Sequence, residues 1–161
     1  MVGSVRRWLY VGAALLCAKA ADAPLIPVSV CEVVRDLASE DGKSAAVLGR
    51  YSFRANGRWI AEQACSPATD ALPELRLLED LKDGPKPPGN FEIDGVELRK
   101  KFAEITRRTS LGKFRFGTAD YDRWAVIYGR VEARKGEDAK KAPANLVIRG
   151  NGVIVFLTPE N

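Results

Sequence analysis

Two segments of the chain carry apolar residues at helical spacing. In the first, Val30, Val33 and Leu37 recur every three or four positions. Residues 29–32 read S-V-C-E, the S-x-x-E form of a capping box, in which the serine and the glutamate each satisfy an exposed backbone N–H. The pattern therefore predicts a short helix over Val30–Ala38.

The second helical segment is longer and strongly basic on its polar positions. Val96, Phe102 and Ile105 supply the apolar positions, and arginine and lysine occupy most of the others. Leu111-Gly112 is a typical helix stop. We therefore expect a helix over Val96–Thr109.

Elsewhere apolar and polar residues alternate, which is the period of a β-strand. In the first such stretch Val47, Tyr51 and Phe53 share one face, and we expect Tyr51 and Phe53 to fill the interior. Asn56-Gly57 then predicts a hairpin in which both residues adopt positive φ. The expected strands are Ala45–Arg54, Arg58–Gln63, Leu72–Leu78 and Arg123–Arg134.

Two apolar stretches close the pattern, Leu146–Arg149 and Val153–Leu157, on either side of Gly150-Asn151-Gly152. They form either a hairpin or one strand broken by a glycine bulge. The second stretch is apolar on both faces, which predicts a central or covered strand. Two segments are expected to lack regular structure: Glu79–Asn90, which contains Pro85, Pro87 and Pro88, and the charged loop Lys135–Pro143. A third segment, Lys113–Asp122, is expected to be irregular or hairpin-like.

The order of these elements predicts the fold. Apart from the first helix, three strands precede a helix and two strands follow it. This is the order of the OB-fold, a five-stranded, partly open Greek-key barrel. Gly49 and Gly129 interrupt the two long strands, where glycine lets a strand curl. We therefore expect a mainly β protein, with the helix between strands 3 and 4 and a short helix in front.

The first twenty residues have the pattern of a secretory signal peptide. Arg6 and Arg7 precede about ten apolar residues, and Ala18-Lys19-Ala20 supplies the small residues of a cleavage site. We expect cleavage after Ala20 and a single domain over residues 21–161, with no transmembrane segment left. An uncleaved anchor and a lipoprotein acylated at Cys17 are the alternatives, although Leu16 is unusual before a lipoprotein cysteine.

Removal of the signal peptide changes the charge and the cysteine content. The formal charge of +4 falls to +1, so the chain is not globally cationic. Residues 21–95 carry a net charge of −5 and residues 96–135 a net charge of +6. Cys31 and Cys65 are the cysteines that remain, and an exported chain is expected to pair them. The chain-entropy estimate for such a loop is roughly 3.5–4 kcal/mol.

Little in the sequence indicates catalysis. The 161 residues include no histidine, which excludes Ser-His, Cys-His and histidine–metal chemistry. Asp120 with Asp122, and Asp80 with Asp83, are carboxylate pairs that could serve acid–base chemistry or hold a cation. Turns and local ion pairs explain both pairs better. We therefore predict no catalytic residue, no metal site and no cofactor.

The chain resembles small exported bacterial proteins that have an OB-like domain and no established activity. The resemblance rests on the signal peptide, the helix that contains Cys31, the D-G-K opening of the first strand at residues 41–43, and Cys65 after the second strand. It covers about 115 residues of the mature chain. It implies a fold and carries no functional residues, and a fold alone does not determine a function.

We expect a secreted or periplasmic, non-enzymatic binding or interaction module of the cell envelope, whose partner is an envelope protein or an anionic ligand. The alternative is a polyanion-binding protein that uses a basic helix face, and an enzyme without histidine is third. Nucleic acid is the less favoured anion, because strand two offers only Trp59 for base stacking. The candidate anion-binding residues are Arg99, Lys100, Lys101, Arg107, Arg108, Lys113 and Arg115.

Overall fold

A computed structural model describes residues 23–65, 68, 71–108 and 123–157. The expected signal peptide and the segment Lys113–Asp122 lie outside the described residues. The elements in chain order are β1 (Val28–Ser29), α1 (Val30–Arg35), α2 (Leu37–Glu40), β2 (Ser44–Arg54), β3 (Gly57–Ala61), β4 (Glu74–Glu79), α3 (Gly95–Arg108), β5 (Arg123–Ala133), α4 (Glu137–Lys141), β6 (Ala144–Ile148) and β7 (Val153–Phe156).

Five strands close into a barrel in the order β2-β3-β4-β6-β5 and back to β2. All pairings are antiparallel except that of β4 with β6, which is parallel. Strand β2 closes the barrel because its residues 44–51 pair with β5 and its residues 50–54 pair with β3. With α3 between the third and fourth barrel strands, this arrangement confirms the predicted OB-like barrel.

The interior of the barrel is filled by aliphatic side chains from every barrel strand and from α1. Val47 of β2 and Ile127 of β5 are fully buried there, as their alternation predicts. Helix α1 adds Val30, Val33 and Val34 to the same cluster. The N-terminal helix is therefore part of the barrel core and not an appendage to it.

A second core lies on the outer face of the barrel, under α3. Ala46 and Leu48 of β2 point outward and pack with Ile105 of α3 and with Trp124 and Val126 of β5. Strand β2 is therefore buried on both faces. Because α3 occupies the outer face and α1 the interior, the two helices lie on opposite sides of the same strand.

The capping box that the sequence predicts for α1 is present. The Ser29 hydroxyl accepts a hydrogen bond from the backbone N–H of Glu32, and the Glu32 carboxylate accepts one from the N–H of Ser29. The predicted helix Val30–Ala38 is too long as a single element, because it is interrupted at Asp36 (φ −102°, ψ 24°) and resumes as α2.

The hairpin at Asn56 forms, but its predicted turn geometry is wrong. Arg54 pairs with Gly57, so the two loop residues are Ala55 and Asn56. No described non-glycine residue has positive φ, and Gly57, with φ 125°, is instead the first residue of β3. The glycine therefore accommodates the entry into the returning strand.

The last two strands decide between a hairpin and a broken strand, and they correct the prediction that the second of them is covered. Both β6 and β7 pair with the same edge of β5, which favours one strand broken at Gly150-Asn151-Gly152 over a hairpin. The prediction that Val153–Leu157 is central or covered is wrong within the described residues. There β7 pairs with β5 alone, and Phe156 is 56% exposed.

Other corrections are local. Tyr51 packs against the barrel core as expected, but Phe53 is 48% exposed and does not fill it. Strand β4 begins at Glu74 and not at Leu72. The expected charged loop after β5 contains the short helix α4.

We predict that Gly49→Ala lowers the free energy of unfolding by about 1–3 kcal/mol, the usual range for overpacking a core. A Cβ atom at residue 49 would lie 2.8 Å from Cγ1 of Ile60 and 2.9 Å from Cγ2 of Val30, both fully buried. Urea denaturation measures the change. Gly89→Ala is the matched control, because no atom lies within 4 Å of its Cβ position, and we expect a change within about 0.5 kcal/mol. Equal effects of the two substitutions would contradict the prediction.

Candidate functional site

The structure divides the predicted basic face of α3 into paired and unpaired cations. Lys101 pairs with Glu32 of α1, and Lys100 lies 3.6 Å from Glu97. Arg108 approaches Glu62 to 3.3 Å and Glu104 to 3.6 Å. Arg99 and Arg107 are exposed and form no ion pair with a described residue, whereas Lys113 and Arg115 lie outside the described residues.

The pairs of Lys101 and Arg108 belong to a polar cluster between α1, α3 and the end of β3. Its centre is Glu62, whose side chain is fully buried. One carboxylate oxygen of Glu62 accepts the backbone N–H of Cys31 at 2.9 Å, and the other faces Arg108. Sequence reasoning missed Glu62, because it follows β3 at a position where only the tertiary fold supplies a partner.

The predicted disulfide lies beside this cluster. The Sγ atoms of Cys31 and Cys65 are 2.08 Å apart, across a sequence separation of 34 residues. The N–H of Cys31 donates a hydrogen bond to Glu62, and Cys65 follows Glu62 by three residues. The disulfide and this hydrogen bond therefore hold the same two segments together. The arrangement fits a structural disulfide, which ties the start of α1 to the chain beyond β3.

The pKa values of the two carboxylates, Glu62 and Glu32, are shifted in opposite directions. Desolvation raises the pKa of Glu62 above its ordinary value, although the Cys31 N–H and the charge of Arg108 oppose this. Burial also acts to raise the pKa of Glu32. There the hydrogen bonds from Lys101 and Ser29 and the positive charge of Lys101 outweigh it, so the pKa of Glu32 lies below its ordinary value. Lys101 and Arg108 are therefore paired with carboxylates inside the cluster and are not available to an anionic ligand.

Neither predicted carboxylate pair forms a catalytic arrangement that the structure describes. Asp80 accepts the N–H groups of Lys82 at 2.8 Å and Asp83 at 2.9 Å, so it closes its own loop, and these bonds lower the pKa of Asp80. Asp120 and Asp122 lie outside the described residues. Within the described ranges, no three or more cysteine, aspartate or glutamate side chains are grouped so that they could hold a metal ion.

A cleft that carries unpaired cations lies elsewhere, on the outer face of β3 and β4. A cleft of about 330 Å³ is bounded there by the β2–β3 turn on one side and α4 on the other. We call it the cationic cleft. The described residues that line it are Arg54, Asn56, Trp59, Glu74, Arg76, Arg134, Asp138 and Lys141.

Four cations and two carboxylates line the cationic cleft, which gives it a net charge of +2. Arg54 lies 3.0 Å from Glu74, and Arg134 lies 3.3 Å from Asp138. Two cations remain, Arg76 and Lys141, and neither forms an ion pair with a described residue. Among the described residues, the Arg76 guanidinium donates one hydrogen bond, a long one of 3.4 Å to the backbone carbonyl of Asn56.

The floor of the cationic cleft is an indole ring that is already covered. The guanidinium of Arg54 lies over the Trp59 ring, 4.8 Å from its centroid, and Trp59 Nε1–H donates to Asn56 Oδ1 at 3.1 Å. Trp59 is only 4% exposed. Its ring therefore orders Arg54 and Asn56 and does not offer a face to a ligand.

Comparison with protein-family models, with curated proteins and with solved structures found no match. The described helices include none that is both long enough and apolar enough to cross a membrane.

The buried carboxylate makes a testable prediction about pH. Because the pKa of Glu62 is raised by folding, the folded state binds this proton more tightly than the unfolded state, and stability contributed by Glu62 falls as pH rises above the ordinary value of 4.5. We expect the unfolding free energy of the wild type, relative to Glu62→Gln, to decrease between pH 4 and pH 8. Urea denaturation across that range measures it.

Glu104→Gln is the control for this prediction. Glu104 also pairs with Arg108, but its side chain is 64% exposed, so its removal is expected to leave the pH dependence unchanged. A wild type that gains stability over Glu62→Gln as the pH rises would show that Arg108 outweighs the effect of burial.

Proposed function

We propose that this protein is an exported, non-enzymatic binding module that holds an acidic saccharide in the cationic cleft. The observation that carries the proposal is the pair of cations Arg76 and Lys141, which share one cleft without a carboxylate partner among the described residues. Each can donate several hydrogen bonds to an anionic group, and a guanidinium can do so with two parallel bonds.

The position of the cleft supports a binding role. OB barrels bind oligosaccharides and oligonucleotides on the outer face of their second and third strands and on the loops after the first and fourth strands. In this barrel those strands are β3 and β4, and those loops contribute Asn56 and α4. The cationic cleft therefore lies where this architecture leaves its sheet open to a ligand.

The donors and acceptors of the cleft favour a sugar over a nucleobase. The hydroxyl groups of a saccharide can donate hydrogen bonds to the carboxylates of Glu74 and Asp138. Its acidic groups can accept hydrogen bonds from the two unpaired cations, Arg76 and Lys141. Single-stranded nucleic acids are typically held by aromatic stacking, but Trp59 is covered by Arg54. An acidic envelope glycan uses more of the groups present.

Export is part of the proposal and is supported by the first twenty residues and by the cysteine pair. A basic segment, an apolar segment and A-x-A at residues 18–20 have the order of a cleavable signal. A stable Cys31–Cys65 bond suits an oxidising compartment. The envelope or the medium is therefore where we expect the ligand.

The first test measures the affinity of the purified chain for a heparin-derived hexasaccharide, used as an acidic saccharide probe. We expect binding that weakens with added salt, and an affinity about tenfold lower in the double variant Arg76→Ala/Lys141→Ala. Lys140→Ala is the matched control, because Lys140 lies beside Lys141 in α4 but pairs with Glu137 at 2.7 Å. Its affinity should equal that of the wild type.

The basic helix face is tested in the same titration. Arg99→Ala/Arg107→Ala removes the described α3 cations that have no ion pair, and we expect no loss of affinity. If this variant lost affinity for the hexasaccharide and Arg76→Ala/Lys141→Ala did not, the anion site would be the α3 face and not the cationic cleft. Tighter binding of a single-stranded oligonucleotide of equal charge would contradict the saccharide assignment.

Intact mass tests the export proposal, on protein recovered from its native host. We expect a chain that begins at Ala21, takes up no alkylating reagent before reduction and takes up two equivalents after it. A chain that retains Met1, with two or more thiols alkylated without reduction, would contradict both cleavage and the disulfide.

A further inference from the structure

A second concavity lies between α3 and the end of β7. It is a groove of about 460 Å³, and none of its lining residues lines the cationic cleft. We call it the α3 groove. The described residues that line it are Gly95, Leu98, Arg99, Phe102, Ala103, Thr106 and Leu157.

The lining of the α3 groove is mainly apolar and rigidly supported. Leu98, Phe102 and Leu157 pack against the outer core, and the Phe102 ring meets Trp124 edge-on at 5.2 Å. Leu157 is fixed by a backbone hydrogen bond from its N–H to the carbonyl of Trp124, 2.9 Å long. The apolar surface is therefore preformed, as small-molecule sites usually are.

Small residues keep the α3 groove open along the helix. Gly95 and Ala103 lie eight residues apart on one helix face, with Thr106 beyond them. At a rise of 1.5 Å per residue, the stretch from residue 95 to residue 106 is about 16 Å long. A groove of this length suits an extended chain better than a compact ring.

Charge at the groove is restricted to one end. Arg99 is the single charged residue among the described residues that line it, and it lies one turn after the start of α3. It is exposed and makes no ion pair with a described residue. Its guanidinium therefore supplies a donor for an anionic group next to an apolar surface whose described lining residues include no acid.

We propose that the α3 groove binds a single-chain anionic amphiphile, a fatty-acid-like molecule. Its hydrocarbon chain lies along Leu98, Phe102 and Leu157, and its carboxylate meets Arg99. The charge complementarity of Arg99 favours this occupant over a neutral chain. The site is separate from the cationic cleft, so it goes beyond the proposed function.

The test is isothermal titration of the purified full chain with dodecanoate and with dodecyl maltoside, both below their micellar concentrations. Dodecanoate is expected to bind more tightly than the maltoside, because both have the same chain but only one has an anionic head. Ala103→Trp fills the groove from an exposed position and should reduce dodecanoate affinity at least tenfold. Unfolding in urea confirms that this variant is folded.

Substitution of two arginines of α3 distinguishes the contribution of the ligand's head group to affinity from that of its hydrocarbon chain. Arg99→Gln should weaken dodecanoate about two- to fivefold, the effect of losing one exposed charge pair, and leave the maltoside unchanged. Arg107→Gln is the matched control on the same helix and should change neither. A loss in Arg107→Gln equal to that in Arg99→Gln would contradict the proposed head-group site.

Three other outcomes would overturn the proposal. Dodecanoate affinity unaffected by Ala103→Trp would place the ligand elsewhere. Absence of binding by the wild type, with lower stability of Ala103→Trp, would show that the protein's own chain fills the groove. A wild-type dimer in analytical ultracentrifugation that Ala103→Trp dissociates would show that a second copy does.

Discussion

Burial of β2 on both faces is the constraint on which the rest of this structure depends. The strand pairs with β5 along its first part and with β3 along its second, which is what closes the barrel. Val47 then faces an interior that α1 helps to fill, while Ala46 and Leu48 face outward and must be covered by α3. Both helices are therefore required by one strand, and each is placed by the face that it covers.

The placement of the helices pairs part of the polarised charge of the sequence within the fold. Segments with net charges of −5 and +6 are brought together where α1 and the end of β3 meet α3. Lys101 reaches Glu32 across 69 residues, and Arg108 reaches Glu62 across 46. Since a buried carboxylate is costly unless it is paired, Glu62 needs Arg108, and this cation is held in the structure and is not offered to a ligand.

The sequence predicted the barrel because its strands alternate and its elements occur in an unusual order. The Cys31–Cys65 bond was also found from the sequence, since residues 21–161 contain two cysteines and these can pair in only one way. The exposure of Phe53 could not be found in this way, because alternation gives the face of a strand but not where the neighbouring strand ends. The cationic cleft was missed for a related reason: Arg54, Arg76 and Lys141 are far apart in sequence and meet only through the register of β2, β3 and β4 and the placement of α4.

The same constraint decides which part of the outer face remains for binding. The core beneath α3 covers β2 and β5, whereas the outer face of β3 and β4 has no part in that core. On that half the outward residue of β3 is Trp59, and it pairs in register with Arg76 of β4. A barrel that used Trp59 for stacking would leave its ring exposed, but here Arg54 covers it. With the ring covered, the surface that this part of the sheet presents is formed by guanidinium groups. Such a surface favours recognition of charged and hydroxyl groups over stacking of flat bases.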